Sequence, residues 1–261
     1  MLLNSLDGSP VAIENSDARG DFLFVCEHAC NRLPQSLGTL GLSPEGLESH
    51  IAWDPGALAV AQMLSRKLDG TLIYQRFSRL AYDCNRPPDS PAAMPTVSEV
   101  YAIPGNCELP DDERQARIDE IYSPFRNAVA EFVRSRQSAG RSPVLITIHS
   151  FTPTYFGKPR AVELGILHDS DRRLADQMLK LLTLDEAPYV IRRNEPYGPD
   201  DGVTHSLVEY GVKLGLANAM LEISNALVCT KKGQRSVASF LAALLKKCAE
   251  APIPPTNARI R

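Results

Sequence analysis

The stretch VLITIH, residues 144–149, is apolar at nearly every position and ends on a histidine. A strand with one wet face alternates apolar and polar side chains. A near-continuous apolar run of this length fits a strand covered on both faces, as in a parallel sheet lying between helical layers. The flanking chain repeats the theme. DFLFVC (Asp21–Cys26) and TLIYQR (Thr71–Arg76) read as strands upstream; Val162–His168, Tyr189–Arg193 and Asn218–Ile223 read as strands downstream. Helical periods separate them over Pro55–Leu68, Asp111–Gln137, Asp171–Leu184, Thr204–Leu214 and Ser236–Lys247. In Asp111–Gln137 the apolar positions Ile118, Ile121, Phe125, Val129 and Phe132 mark one long amphipathic helix or a pair broken at Pro124. Strands alternating with helices imply crossover connections, hence an α/β fold: a three-layer αβα single domain over residues 1–261 with a mostly parallel central sheet. One segment breaks the rhythm. Residues 87–110 hold Pro87, Pro88, Pro91, Pro95, Pro104 and Pro110 with little periodicity, too long for an ordinary connection in a compact domain, and read as a lid over a site.

The composition excludes more than it identifies. The chain has 261 residues, 28 basic and 31 acidic, for a net charge of −3, which lacks the basic surplus a nucleic-acid partner calls for. No apolar run approaches the roughly 18–20 residues that span a bilayer, which argues against a membrane partner. The polar, acidic start of the chain does not read as a secretory signal. The cysteines at 26, 30, 84, 107, 229 and 248 are scattered without a CxxC pair, as expected of reduced thiols in a cytoplasmic protein. No GxGxxG, phosphate-binding loop or GxSxG elbow is present. Oligomeric state and protein partners leave no readable mark.

A parallel sheet gathers the carboxyl ends of its strands at one edge, where ligands bind. Polar clusters follow the expected strands: Glu27-His28-Ala29-Cys30-Asn31, then Ser78–Arg86, His149-Ser150 and Glu222-Ile223-Ser224-Asn225. Two histidines with carboxylates at one edge suit a single-metal hydrolase, whose catalytic zinc commonly takes two His and one carboxylate. His28 and His149 are the candidate nitrogen ligands. Asp54, in WDPGA (53–57), is the favoured carboxylate, although an Asp before Pro also suits a helix cap; Glu27 is the second candidate. Glu222 suits a general base, or else pairs with an arginine. Arg79 could face a developing oxyanion. Asn85 and Arg86 could grip a carboxylate, unless Arg86 pairs with Asp83 or Asp89; Arg160 could add a further anionic contact or stay solvated. Cys30 is the one realistic thiol nucleophile, and His50, His168 and His205 lack ligand spacing.

The ordered set CEHACN (26–31), WDPGA (53–57), SRLAYDCNRP (78–87), IHSFTP (148–153) and LEISN (221–225) resembles the N-formylglutamate amidohydrolase family over about residues 21–225. That family is similar in architecture to the zinc-dependent exopeptidases and the aspartoacylase-like group. The resemblance implies a phosphorylase/hydrolase-like, zinc-exopeptidase-like fold and metal-dependent hydrolysis of an N-acyl amide, N-formyl in particular, on an acidic amino acid. The small-molecule substrate would be of the N-formylglutamate kind. It implies a divalent metal, zinc by preference, on His28, Asp54 and His149; Glu222 as the base; and Asp83-Cys84-Asn85-Arg86 as the carboxylate grip. There are departures. Asn31 stands where zinc exopeptidases commonly have Glu three residues after the first His, and TYFGKPR (154–160) fits a shorter branch of the family. An exopeptidase, an acylase for another N-acyl amino acid and a non-catalytic binder of acidic metabolites are the competing expectations.

Overall fold

The computed structural model describes residues 1–183 and 187–250, and a seven-stranded sheet runs through it. The strands are Val11–Glu14 (β1), Phe22–Cys26 (β2), Thr71–Gln75 (β3), Val144–Phe151 (β4), Leu164–Leu167 (β5), Ile191–Arg193 (β6) and Asn218–Ser224 (β7). Across the sheet they lie in the order β1-β3-β2-β4-β7-β5-β6. The central strands β3, β2, β4 and β7 are parallel; β1 runs antiparallel to β3, and β5 antiparallel to β7 with β6 parallel to β5. The reversed strands thus sit at the margins of a mostly parallel sheet.

The helices are Pro44–Glu48 (α1), Ala57–Leu68 (α2), Asp111–Arg117 (α3), Ser123–Ser138 (α4), Arg173–Leu182 (α5), Asn225–Val228 (α6) and Lys231–Glu250 (α7). They cover both faces, completing the three layers. Alternate strand residues part to opposite sides. Phe22, Phe24, Ile146, Ile148, Leu221 and Ile223 pack with Val60 and Leu64 of α2, Met178 of α5 and Leu241 of α7. Leu23, Val25, Ile73 and Leu145 pack on the other side with Phe125, Val129 and Val133 of α4. Fully burying each such side chain contributes about 1.5–3 kcal/mol. Between α3 and α4 the chain neither breaks nor continues as plain α-helix: Ile118–Tyr122 forms a π-helical turn just before Pro124. Pro124 has no N–H to donate and its ring excludes the carbonyl four residues earlier, so a widened turn absorbs it. The expected helix end at Leu184, and residues 251–261 of the expected domain, lie outside the described residues.

Two features position the site. β2 leads through α2 to β3 on one side, whereas β3 leads through α3 and α4 to β4 on the other, so the connections diverge between β2 and β4. That divergence is a switch point, where the carboxyl ends of the strands leave a crevice. The proline-rich segment is ordered beside it, with turns at Pro91–Ala93 and Pro104–Asn106 and a hairpin pairing Val97–Ser98 with Tyr101–Ala102. Fully buried Arg117 donates to Asn106 Oδ1 at 2.6 Å and Ala81 O at 3.3 Å, while Asn106 donates to Leu80 O and Pro95 O. These bonds tie the segment to the chain that follows β3.

Candidate active site

His149 is the sixth residue of β4, and the parallel register sets it beside Glu222 of β7. Both share the parity of Leu145, so they leave the sheet on the α4 side, past the end of the apolar packing. β2 ends at Cys26, so Glu27 and His28 follow in a turn and escape strict alternation. Both can therefore face β4.

Asp54 arrives from the loop before α2. Its N–H donates to His28 O at 2.9 Å. The helix starts at Ala57, with Gly56 rather than Asp54 at its cap position. Gly56 has φ +82, and a Cβ there would lie 2.6 Å from Val228 Cγ2; only glycine meets both conditions. Released from capping, the Asp54 carboxylate turns into the crevice. Its Oδ2 lies 3.0 Å from His149 Nδ1 and 3.3 Å from His28 Nδ1, and it accepts from Ser150 N at 3.1 Å. The two Nδ1 atoms are 3.2 Å apart. Ligand atoms about 2.0–2.1 Å from a tetrahedral zinc ion lie roughly 3.3–3.4 Å from one another. Three donors at such spacing, all buried, could hold a metal ion.

The outer ring nitrogens have carboxylate partners. His28 Nε2 is hydrogen-bonded to Asp83 Oδ1 at 2.7 Å, whereas His149 Nε2 lies 3.2 Å from Glu27 Oε2 as an ion-pair contact outside hydrogen-bond geometry. Metal-ligating imidazoles usually carry a carboxylate on the outer nitrogen, which fixes the tautomer and the ring plane, as Asp83 does for His28. Glu27, weighed as a ligand from the sequence, thus lies behind His149 rather than beside Asp54. Asp83 also takes a hydrogen bond from Arg79 Nη2 at 2.6 Å, and Arg79 Nη1 is 3.6 Å from Asp54 Oδ1. Asn31 takes no part: its amide donates to Leu47 O.

Charges follow the geometry. Burial pushes His149 toward neutrality, but Glu27 and Asp54 outweigh it and hold the metal-free ring protonated. Burial acts to raise Asp54, yet the two histidines hold it below the ordinary carboxylate range. Arg79 keeps its charge against burial because Asp83 and Asp54 face it. Glu222 differs: burial drives its carboxyl up to about 7, with His149 opposing and Asp54 reinforcing the rise. Glu222 forms no ion pair with an arginine among the described residues.

His28, Asp54, Arg79, His149 and Glu222 line a cavity of about 180 Å³ whose wall also includes His50, Asn85, Arg86, Glu99, Tyr155 and Tyr197. Asn85 spends Oδ1 on Ser206 N and one amide hydrogen on Val203 O, pinning that loop to the wall. The Arg86 guanidinium donates to Asn85 O; it forms no close ion pair among the described residues, although its charge joins Arg79 and His28 in holding Asp83 below the ordinary carboxylate range. Arg160 is not in the cavity wall: it donates to Tyr197 Oη at 2.9 Å, its guanidinium 4.5 Å from the Tyr155 ring centre and 4.7 Å from that of Tyr197. Cys30 is also outside the wall, and burial raises the Cys26 thiol far above its usual range. The sequence reading did not reach Tyr197, or the part of Asp83 behind His28. The DCNR motif holds the only signal for the second.

A family model for N-formylglutamate amidohydrolase matches residues 20–229, a span that contains the whole cluster. The chain belongs to the N-formylglutamate amidohydrolase family. It is accordingly a hydrolase acting on an amide bond. Among solved structures, the gene product Atu2144 from Agrobacterium tumefaciens is 53% identical with a TM-score of 0.94, over 96% of this chain and 98% of that one. An N-formylglutamate amidohydrolase from Ralstonia eutropha JMP134 is 21% identical with a TM-score of 0.60, over 93% and 97% of the two chains; this likeness is one of fold. A search of curated proteins finds no match. Among the described residues no helix is long and apolar enough to cross a membrane.

Proposed function

We propose that this member of the N-formylglutamate amidohydrolase family is a metal-dependent enzyme that removes the formyl group from an N-formyl acidic amino acid such as N-formylglutamate. The observation that carries the metal is the trio His28 Nδ1, Asp54 Oδ2 and His149 Nδ1 at 3.0–3.3 Å, each ring backed by a carboxylate. Two nitrogens and an oxygen at tetrahedral spacing favour zinc. When bound, the ion would polarise the scissile carbonyl and acidify a water molecule. Everything else falls to the chain. Glu222, with a carboxyl near neutrality, takes the proton of the attacking water and returns it to the departing amine. Arg79, fixed by Asp83, faces the oxygen on which negative charge develops. Arg86, which lines the cavity and forms no close ion pair among the described residues, offers its guanidinium to the amino-acid carboxylate, and Asn85 holds the loop that carries it. Arg160 acts from behind the wall by orienting Tyr197.

The test is a parallel assay of formyl, acetyl and succinyl derivatives of Glu and Asp, before and after chelation and zinc restoration. The expected result is fastest turnover of a formyl derivative, abolished by chelation and restored by zinc. Preference for acetyl or succinyl groups would establish an acylase. Turnover that survives complete metal removal would overturn the metal reading.

A further inference from the structure

Two cation-forming groups line the cavity without touching the metal trio: Arg86 and His50. Arg86 forms no close ion pair among the described residues, its charge reaching Asp83 only from a distance. His50 does have one, supplied by the chain itself. Its Nε2 lies 2.8 Å from Glu99 Oε2, yet outside hydrogen-bond geometry, so the ring nitrogen is buried with its directional bond unmade. Glu99 belongs to the proline-rich segment, at the turn of the Val97–Ala102 hairpin. Its other oxygen, Oε1, accepts from Phe156 N at 2.9 Å. One carboxylate thus joins three segments around the cavity mouth.

The backbone bears the mark of that arrangement. Glu99 has φ +51, a left-handed conformation unfavourable for a side chain of its kind. The hairpin tip beyond it is exposed, with Val97 and Val100 in solvent, so few packing contacts oppose its movement. A carboxylate held on a poorly aligned imidazole by a strained, exposed turn is in a position to be replaced by a better-placed one.

Resting on the reading that the substrate is an N-formyl dicarboxylic amino acid, we propose that His50 is the specificity-determining residue for the second carboxylate, and that Glu99 occupies His50 until that carboxylate displaces it. Arg86 then holds one carboxylate and His50 the other. Glu99, released with its hairpin, gives up the unaligned contact with His50 and the hydrogen bond from Phe156 N, which water replaces at this exposed turn, while the substrate supplies His50 with an aligned bond. The exchange makes the hairpin respond to a dicarboxylate and not to the monocarboxylate in which the side-chain carboxylate is replaced by an amide.

The test compares kcat/KM for N-formyl-L-glutamate with that for the near-isosteric N-formyl-L-glutamine, in zinc-loaded wild type, His50→Ala and Glu99→Gln. Wild type is expected to favour the glutamate substrate. The ratio should fall about tenfold or more in His50→Ala. It should rise several-fold in Glu99→Gln, which keeps the size of the side chain while weakening its hold on His50. Opposite movement of the ratio in the two variants is a signature that a merely structural role does not produce. An unchanged ratio in both variants, or a shift in the same direction, overturns the assignment of His50 while leaving the hydrolase intact. If wild type turns over neither compound with zinc present, the underlying substrate reading fails and the assignment falls with it.

Discussion

The two faces of the sheet are built from the same strands and do opposite work. On the α2, α5 and α7 side, Ile146 and Ile148 of β4 and Leu221 and Ile223 of β7 are fully buried among apolar neighbours. On the α4 side the alternate residues begin the same way, with Leu145, and end in His149 and Glu222. One face stays apolar on β4 until Ser150, at the strand end; the other passes from Leu145 through Thr147 to His149 on β4, and from Asn218 through Met220 to Glu222 on β7. The difference teaches how the site is held. Strand alternation fixes the direction of His149 and Glu222, and the packed opposite face makes a change of register costly, since slipping by one residue would exchange the two sets. The histidine and the base therefore need no mobile loop to find each other.

The contrast can be broken from the polar side first. His149→Ala removes one of the three inner donors and should cost far more than the roughly 10–100-fold typical of losing an outer carboxylate. Activity is expected to fall below detection in a steady-state assay while circular dichroism stays unchanged. Glu222→Gln should lower kcat by about 10²–10⁴, the range ascribed to a positioned general base. Asp83→Asn leaves the inner donors in place but weakens the hold on His28 and Arg79; a loss of about 10–100-fold in activity or metal affinity is expected. From the apolar side the result inverts: Ile146→Ala should cost about 2–5 kcal/mol of stability in a denaturant titration and leave kcat/KM per folded molecule within a few-fold of wild type.

Glu222 offers a smaller and subtler test, because its carboxyl stands near 7 against an ordinary value of 4.5. A carboxyl raised by folding contributes stability that is present below its unfolded value and lost as pH climbs through about 7. Metal-free Glu222→Gln has no such charge to bury, so it should melt above metal-free wild type at pH 8 and show little advantage at pH 4. In the loaded enzyme the positive charge of the ion would hold the Glu222 carboxyl below its metal-free value, so the rise of kcat/KM with pH should fall below pH 7 as the base form accumulates. An acid limb that persists unchanged in Glu222→Gln would remove Glu222 from the proton-transfer step.

Much of this was legible in the sequence because strand ends announce themselves. The apolar runs before His28, His149 and Glu222 are long enough to place all three at one sheet edge. Asp54 was ambiguous for a physical reason: an aspartate before Pro-Gly serves a helix start as readily as a metal, and only the tertiary turn at Gly56 separates the two uses. The strand directions of β5 and β6 were beyond reach, since apolar runs carry no direction, and the short edge strand β1 offers four residues with little alternation. Glu27 required knowing that β2 had already ended. The order of the proline-rich segment depends on Arg117 and Asn106, contacts made only once the chain has folded. The His50–Glu99 pair joins segments distant in sequence and has no local signature.

The most direct measurement is the metal content of the chain and its affinity for zinc. Wild type purified without chelators, or stripped and titrated, should bind one equivalent of divalent metal, while folded Asp54→Ala and His149→Ala should bind none at the same concentration. Equal metal retention in the variants, or wild type that takes up none, would contradict a centre built on His28, Asp54 and His149.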